Sequence, residues 1–171
     1  MTDTFARAEE PRSPDTATQA VHVSGAASDP HNLQRFVDAQ TPAIDAALAE
    51  LEAGHKRGHW MWFVFPQLRG LGRSEMAHRY GIADLSEARA YLRHPVLGQR
   101  LRDAATTLLM LHDDQSAHDI FGSPDDLKLR SSMTLFEAAE AGNPAPTVFG
   151  EVLRRFYSDT RDEMTLQLLA G

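Results

Sequence analysis

The strongest constraint on the fold is the stretch Trp60-Met61-Trp62-Phe63-Val64-Phe65, six consecutive apolar residues that include both tryptophans of the chain. A surface helix keeps a polar face and a membrane span needs about 20 apolar residues, so a run of this length is neither. It must be buried on most sides. Gly58, Gly70, Gly72 and Pro66 lie around it, which favours a short helix or an irregular buried segment over a long helix, with a strand as the alternative. Polar side chains stand at its two ends, His59 before it and Gln67, Arg69, Arg73 and Ser74 after it. They are thus held at the rim of a rigid aromatic core, where a ligand site can form.

The chain on either side reads as helix. Asp29-Pro30 and Thr41-Pro42 each pair a capping residue with a proline at the first helical position. Leu33, Phe36 and Val37, then Ile44, Ala47, Leu48 and Leu51, follow at helical spacing, and Gly54 stops the second helix. Ser74 caps a short helix ending at Gly81, and Ser86 with Glu87 starts another. Pro95 opens a longer one with Leu97, Leu101, Ala104, Leu108 and Leu111 on one face. Ser116 to Phe121 reads as a helical turn, Asp125 to about Ala141 as a helix ended by Gly142, and 147–157 and 162–169 as the last two. No strand signal is comparably strong. The expectation is an all-α, compact multihelical single domain of about seven or eight helices over residues 29–171. Residues 1–28, rich in Thr, Ala, Ser, Pro and acidic groups, hold too few large apolar side chains to offset ordering entropy and are predicted to form a disordered tail.

A chain of 171 residues is the size of one ordinary domain. Its net charge of −7 argues against binding nucleic acid through overall charge, since phosphate neutralisation needs a basic face. Charge is unevenly spread, however: Lys56, Arg57, Arg69, Arg73 and Arg79 stand against only Glu75 in residues 55–79. The absence of cysteine rules out disulfides and zinc–thiolate sites. Without an apolar N-terminal segment, neither a signal peptide nor a membrane anchor is expected, and the predicted location is cytoplasmic.

Two stretches carry candidate chemistry. In Gly70-Leu71-Gly72-Arg73-Ser74, glycine backbone, a guanidinium and a capping hydroxyl meet at a predicted helix start, a pattern suited to phosphate or carboxylate. An ordinary loop with a serine cap is the commoner explanation of such a short glycine pair, and neither the Walker nor the Rossmann fingerprint is present. In the helix from Asp125, Leu129, Met133 and Phe136 share an apolar face, while Asp125, Lys128 and Ser132 lie together on another. The structural alternative has Ser123 as cap, Asp125 and Asp126 complementing the helix dipole, and Asp126 paired with Arg130. The histidines at 55, 59, 112 and 118 fit no metal motif, so neither a metal nor a cofactor is expected.

One functional expectation is a small enzyme or ligand-binding domain with a pocket between the aromatic run and the helix near Pro124. Arg73, Lys128 and Arg130 would hold a phosphate or carboxylate, Trp60 or Trp62 would stack on a planar group, and Gln67, Ser74 and Ser132 would add polar contacts. His59 and Asp125 are the candidate proton-transfer groups, and a nucleotide or ADP-ribose-like compound meets these demands. The competing expectation is a non-catalytic structural or protein-interaction module.

Leu33 to Gln40, Gly58 to Ser74, His94-Pro95-Val96-Leu97-Gly98 and Phe121 to Phe136, taken together, resemble a bacterial family catalogued as domain of unknown function 1810. The resemblance covers nearly everything from residue 30 to the C-terminus. It implies a compact all-α fold and brings no activity with it.

Overall fold

The computed structural model describes residues 28–171, so the tail expected over residues 1–28 lies, but for Ser28, outside the described residues. The described chain is all helical: α1 Gln34–Gln40, α2 Ile44–Glu52, α3 Met61–Val64, α4 Glu75–Tyr80, α5 Leu85–Arg93, α6 Leu97–Leu109, α7 Ala117–Phe121, α8 Asp125–Ala139, α9 Val148–Tyr157 and α10 Glu163–Ala170. These ten exceed the expected seven or eight because the short turns α3 and α7, of four and five residues, are helices of their own. The nearest approach to a sheet among the described residues is one parallel bridge between Leu68 and Ile82.

The centre is α8, whose Leu129, Met133, Leu135 and Phe136 are fully buried. Around it pack α5, α7, α9 and α10, and α6 closes the other side against α2, α5 and α9. The apolar face predicted for α6 is the one it buries, with Leu97, Leu101, Ala104 and Leu108 inward and Leu111 half-buried. At roughly 1.5–3 kcal/mol for each fully buried large apolar side chain, these faces, rather than helix propensity, hold the short helices in place.

The aromatic run is a single helical turn. Trp60, Met61, Phe63, Val64 and Phe65 are buried and Trp62 is half-buried. It feeds two aromatic groups: Trp60 and Phe65 meet Phe121 of α7, while Phe63 meets Tyr80, which continues through Phe36 and Tyr91 to Phe136. Two buried polar groups, Gln40 and Glu87, are paired between helices. Gln40 donates to the Phe63 carbonyl at 2.6 Å and to the Tyr91 hydroxyl at 2.9 Å. Burial pushes the Tyr91 phenol well above its ordinary range. Glu87 accepts from Arg35 at 2.6 Å and from the Ala83 amide at 2.7 Å, tying α5 to α1.

Several start signals act differently from the sequence expectation. Asp29 does cap, taking the Leu33 and Gln34 amides at 2.8 and 2.9 Å, but helical structure begins only at Gln34. Thr41 turns back and donates to the Val37 carbonyl at 2.7 Å. The cap of α5 is Asp84 rather than Ser86, and α8 starts without a side-chain cap from Ser123. Ser74, Gly54 and Gly142 do mark the boundaries expected of them, the two glycines at φ +67° and +101°.

Candidate functional site

The residues best placed for ligand chemistry meet where the loop between α2 and α3 crosses the start of α8. Glu50, in the last turn of α2, organises that loop. One of its carboxylate oxygens accepts from the Arg57 amide at 2.7 Å, the Gly58 amide at 2.9 Å and the Trp60 indole at 2.9 Å. Burial alone would raise the Glu50 pKa, but these donors and nearby Lys56 outweigh it and hold it below the ordinary value. The loop is thereby folded around a side chain, and the Lys56 amide is fixed on the Ile120 carbonyl at 2.8 Å.

Lys56 and Lys128 share one carboxylate. Asp125 meets the Lys56 ammonium at 2.9 Å through one oxygen and the Lys128 ammonium at 3.0 Å through the other. Each ammonium also stands over an indole, Lys56 at 5.1 Å from the Trp60 ring centroid and Lys128 at 4.7 Å from that of Trp62. Burial alone would raise the Asp125 pKa; the two lysines overcome that and hold it below the ordinary value. The lysines differ in their surroundings. Lys56 is 8% exposed and donates to the Gly58 carbonyl as well, whereas Lys128 is 23% exposed and has Asp125 as its one acceptor among the described residues.

Ser132 lies one helical turn below Lys128 on the same stripe of α8, fully buried, and its hydroxyl has no partner among the described residues. Its neighbours Ser131 and Thr134 instead donate to the Leu127 and Arg130 carbonyls of their own helix. Trp62 also borders a cleft of about 10 Å³, room for about one water, with Gln67, Leu68, Gly72, Ala77, Tyr80 and Gly81.

The structure thus brings together Trp60, Trp62, Asp125, Lys128 and, by helical register, Ser132, with Gln67 joined through the cleft at Trp62. The other candidates lie apart or serve the fold. Arg130 faces away from Lys128 and donates to the Thr160 and Arg161 carbonyls at 3.1 and 2.8 Å. It does not pair with Asp126, which meets His118 at 3.2 Å. Ser74 accepts from the Ala77 amide as the cap of α4. Arg73 and His59 are exposed and make no hydrogen bond or ion pair among the described residues. The glycine turn is a packing device: a Cβ at Gly72 would come within 2.6 Å of the Ala77 Cβ, and Gly70 has φ +105°.

Sequence reasoning missed Lys56 and Glu50 as members of this cluster. Lys56 stands between two glycines, where no periodicity says which way a side chain points. The excess of basic residues over 55–79 was the available signal. Among the described residues, no group of three or more His, Cys, Asp and Glu side chains is arranged to hold a metal ion, and no helix is long and apolar enough to cross a membrane.

Comparison with known proteins agrees with this architecture. No curated protein matches the chain. The crystal structure of the conserved hypothetical protein Rv1873 from Mycobacterium tuberculosis is similar to it at 51% identity, with a TM-score of 0.79 over 84% of this chain and 99% of that one. The family model described as "Protein of unknown function (DUF1810)" matches residues 30–169, so the chain belongs to the DUF1810 family.

Proposed function

We propose that the Lys56–Asp125–Lys128 cluster and its tryptophans bind a small anionic ligand, phosphate- or nucleotide-like. The observation that carries this reading is the setting of Lys128: its ammonium is partly exposed, stands over the Trp62 indole and has Asp125 as its one acceptor among the described residues, while the cluster's other carboxylate, Glu50, is spent on the loop amides and the Trp60 indole. An ammonium has three donors and Lys128 uses one on Asp125, so it has donors to spare for an incoming anion. The cleft beside Trp62 is too small for a ligand body, so the ligand lies across the exposed edge of Lys128 and Trp62, with a planar group against the indole. Asp125, held as a carboxylate by both lysines, positions them.

The test is thermal unfolding of the full chain with phosphorylated metabolites, nucleotides and ADP-ribose. A ligand at about 100 times its Kd adds roughly 2.7 kcal/mol, a rise of about 5–10 °C for a domain of this size. Lys128→Met should abolish that rise while leaving the unliganded midpoint nearly unchanged. A rise that survives the substitution, or none across the panel, sinks the reading.

A second reading, an interaction module, draws on α10. Thr165 is its buried residue, while Met164, Leu166 and Leu168 are 55%, 44% and 43% exposed. Such an apolar surface suits a protein partner.

A further inference from the structure

Away from the lysine cluster, α5, α6 and the end of α8 enclose a cleft of about 210 Å³ lined by Arg89, Leu92, Arg93, Arg102, Ala139 and Glu140. Three guanidiniums face it against one carboxylate, in a chain whose net charge is −7. Two of the three are fixed in place by the backbone. Arg89 donates from Nε to the Ala139 carbonyl at 3.3 Å, which leaves both of its terminal nitrogens free. Arg102 donates to the Leu92 carbonyl at 3.2 Å and to Glu140 at 2.7 Å. Each of these bonds takes up one carbonyl at a helix C-terminus, Leu92 of α5 and Ala139 of α8, and offsets part of the negative end of that helix. Arg93, one turn after Arg89, is exposed and has no bond among the described residues.

We infer that this cleft is a second binding site, for a small phosphate-bearing polyanion such as a diphosphate group. Guanidiniums already held by the backbone lose little freedom on binding, so their remaining N–H groups act at low entropic cost. They arrive from two helices, and a tetrahedral oxyanion presents acceptors in several directions, whereas a carboxylate presents two oxygens in one plane. Leu92 and Ala139 are buried in the floor, so the charged groups lie on an apolar base that strengthens the interaction. The proposal is independent of the lysine cluster: none of its residues touches Lys56, Asp125 or Lys128 in the contacts described above.

The test is calorimetric titration of the full chain with inorganic pyrophosphate, repeated on Arg93→Gln and Lys128→Met, with Arg Nε–Hε resonances followed by NMR. Arg93 is the position to change because it has no contact whose loss would unfold the protein. Binding should weaken about tenfold in Arg93→Gln, the usual value of one charge-assisted hydrogen bond, at an unchanged melting temperature. The Arg89 and Arg102 resonances should move on titration, and by the same amount in Lys128→Met, which tells this cleft apart from pyrophosphate held at the lysine cluster. Equal affinity in wild type and Arg93→Gln, no binding at all, or loss of the Arg89 and Arg102 shifts in Lys128→Met would overturn the assignment. Tighter binding of citrate than of pyrophosphate would overturn the choice of phosphate.

Discussion

Lys56 and Lys128 share a partner but not a role. Lys56 is nearly covered and spends its donors on Asp125 and Gly58, so Lys56→Met removes one side of a buried pair and should destabilise by about 2–4 kcal/mol in urea unfolding. Lys128→Met should cost less than about 1 kcal/mol, because Asp125 keeps Lys56 and the site is open to water. Asp125 also sets an acid limb. Its native pKa lies below the ordinary aspartate value, so its share of stability is present above about pH 4 and is lost as pH falls through the lowered native value. Asp125→Asn should therefore lower stability at pH 7 and flatten its fall between about pH 5 and 2, as read by circular dichroism. The Asp125–Lys128 pair was legible as an i, i+3 contact, and Arg130 was misassigned against the same geometry, since two helical positions further on lies about 200° around the axis. Lys56 was not legible, because a loop contact with a distant helix leaves no local pattern.

The junction of α5 and α6 depends on how closely one helix can enter beneath the end of the other. A Cβ at Gly98 would lie 2.1 Å from the Leu92 carbonyl oxygen, a backbone atom that cannot move aside without shifting α5. Gly98→Ala should therefore cost about 1–3 kcal/mol or more, visible as a lower thermal midpoint, although alanine is the better helix former. Periodicity made the long helices legible, and α6 buries the face that its leucines announced. It could not separate Ser86 from Asp84 as the cap of α5, since both are good capping residues two positions apart. Gly98 reads in sequence as a weak helical residue; only the meeting of two helices shows why a side chain is excluded there.

Across the whole molecule, α8 carries both the core and the proposed ligand face, with Leu129, Met133 and Phe136 inward and Asp125 and Lys128 toward the loop after α2. Met133→Ala should cost about 2–5 kcal/mol, because its site is fully buried. The apolar surface of α10 makes the opposite prediction: Leu168→Glu should alter stability by no more than about 0.5 kcal/mol, and if the interaction-module reading holds it should abolish partner binding or self-association seen by light scattering. The all-α class was legible because amphipathic stripes recur along the described chain. The site was legible only in outline, since its charge balance depends on segments far apart in sequence.

The position of α8 in chain order has a consequence for biosynthesis. Seven helices leave the ribosome before α8, two of which, α5 and α7, pack directly on it, and α9, its most extensive neighbour, follows later still. Until then the faces that α5 and α7 bury against α8, and α6 against α9, have nothing to close against, and the nascent chain presents them to whatever surrounds it. A chain terminated before Asp125 would keep most of its apolar residues and lose their centre, leaving a product fit for chaperone capture and proteolysis rather than a smaller working domain.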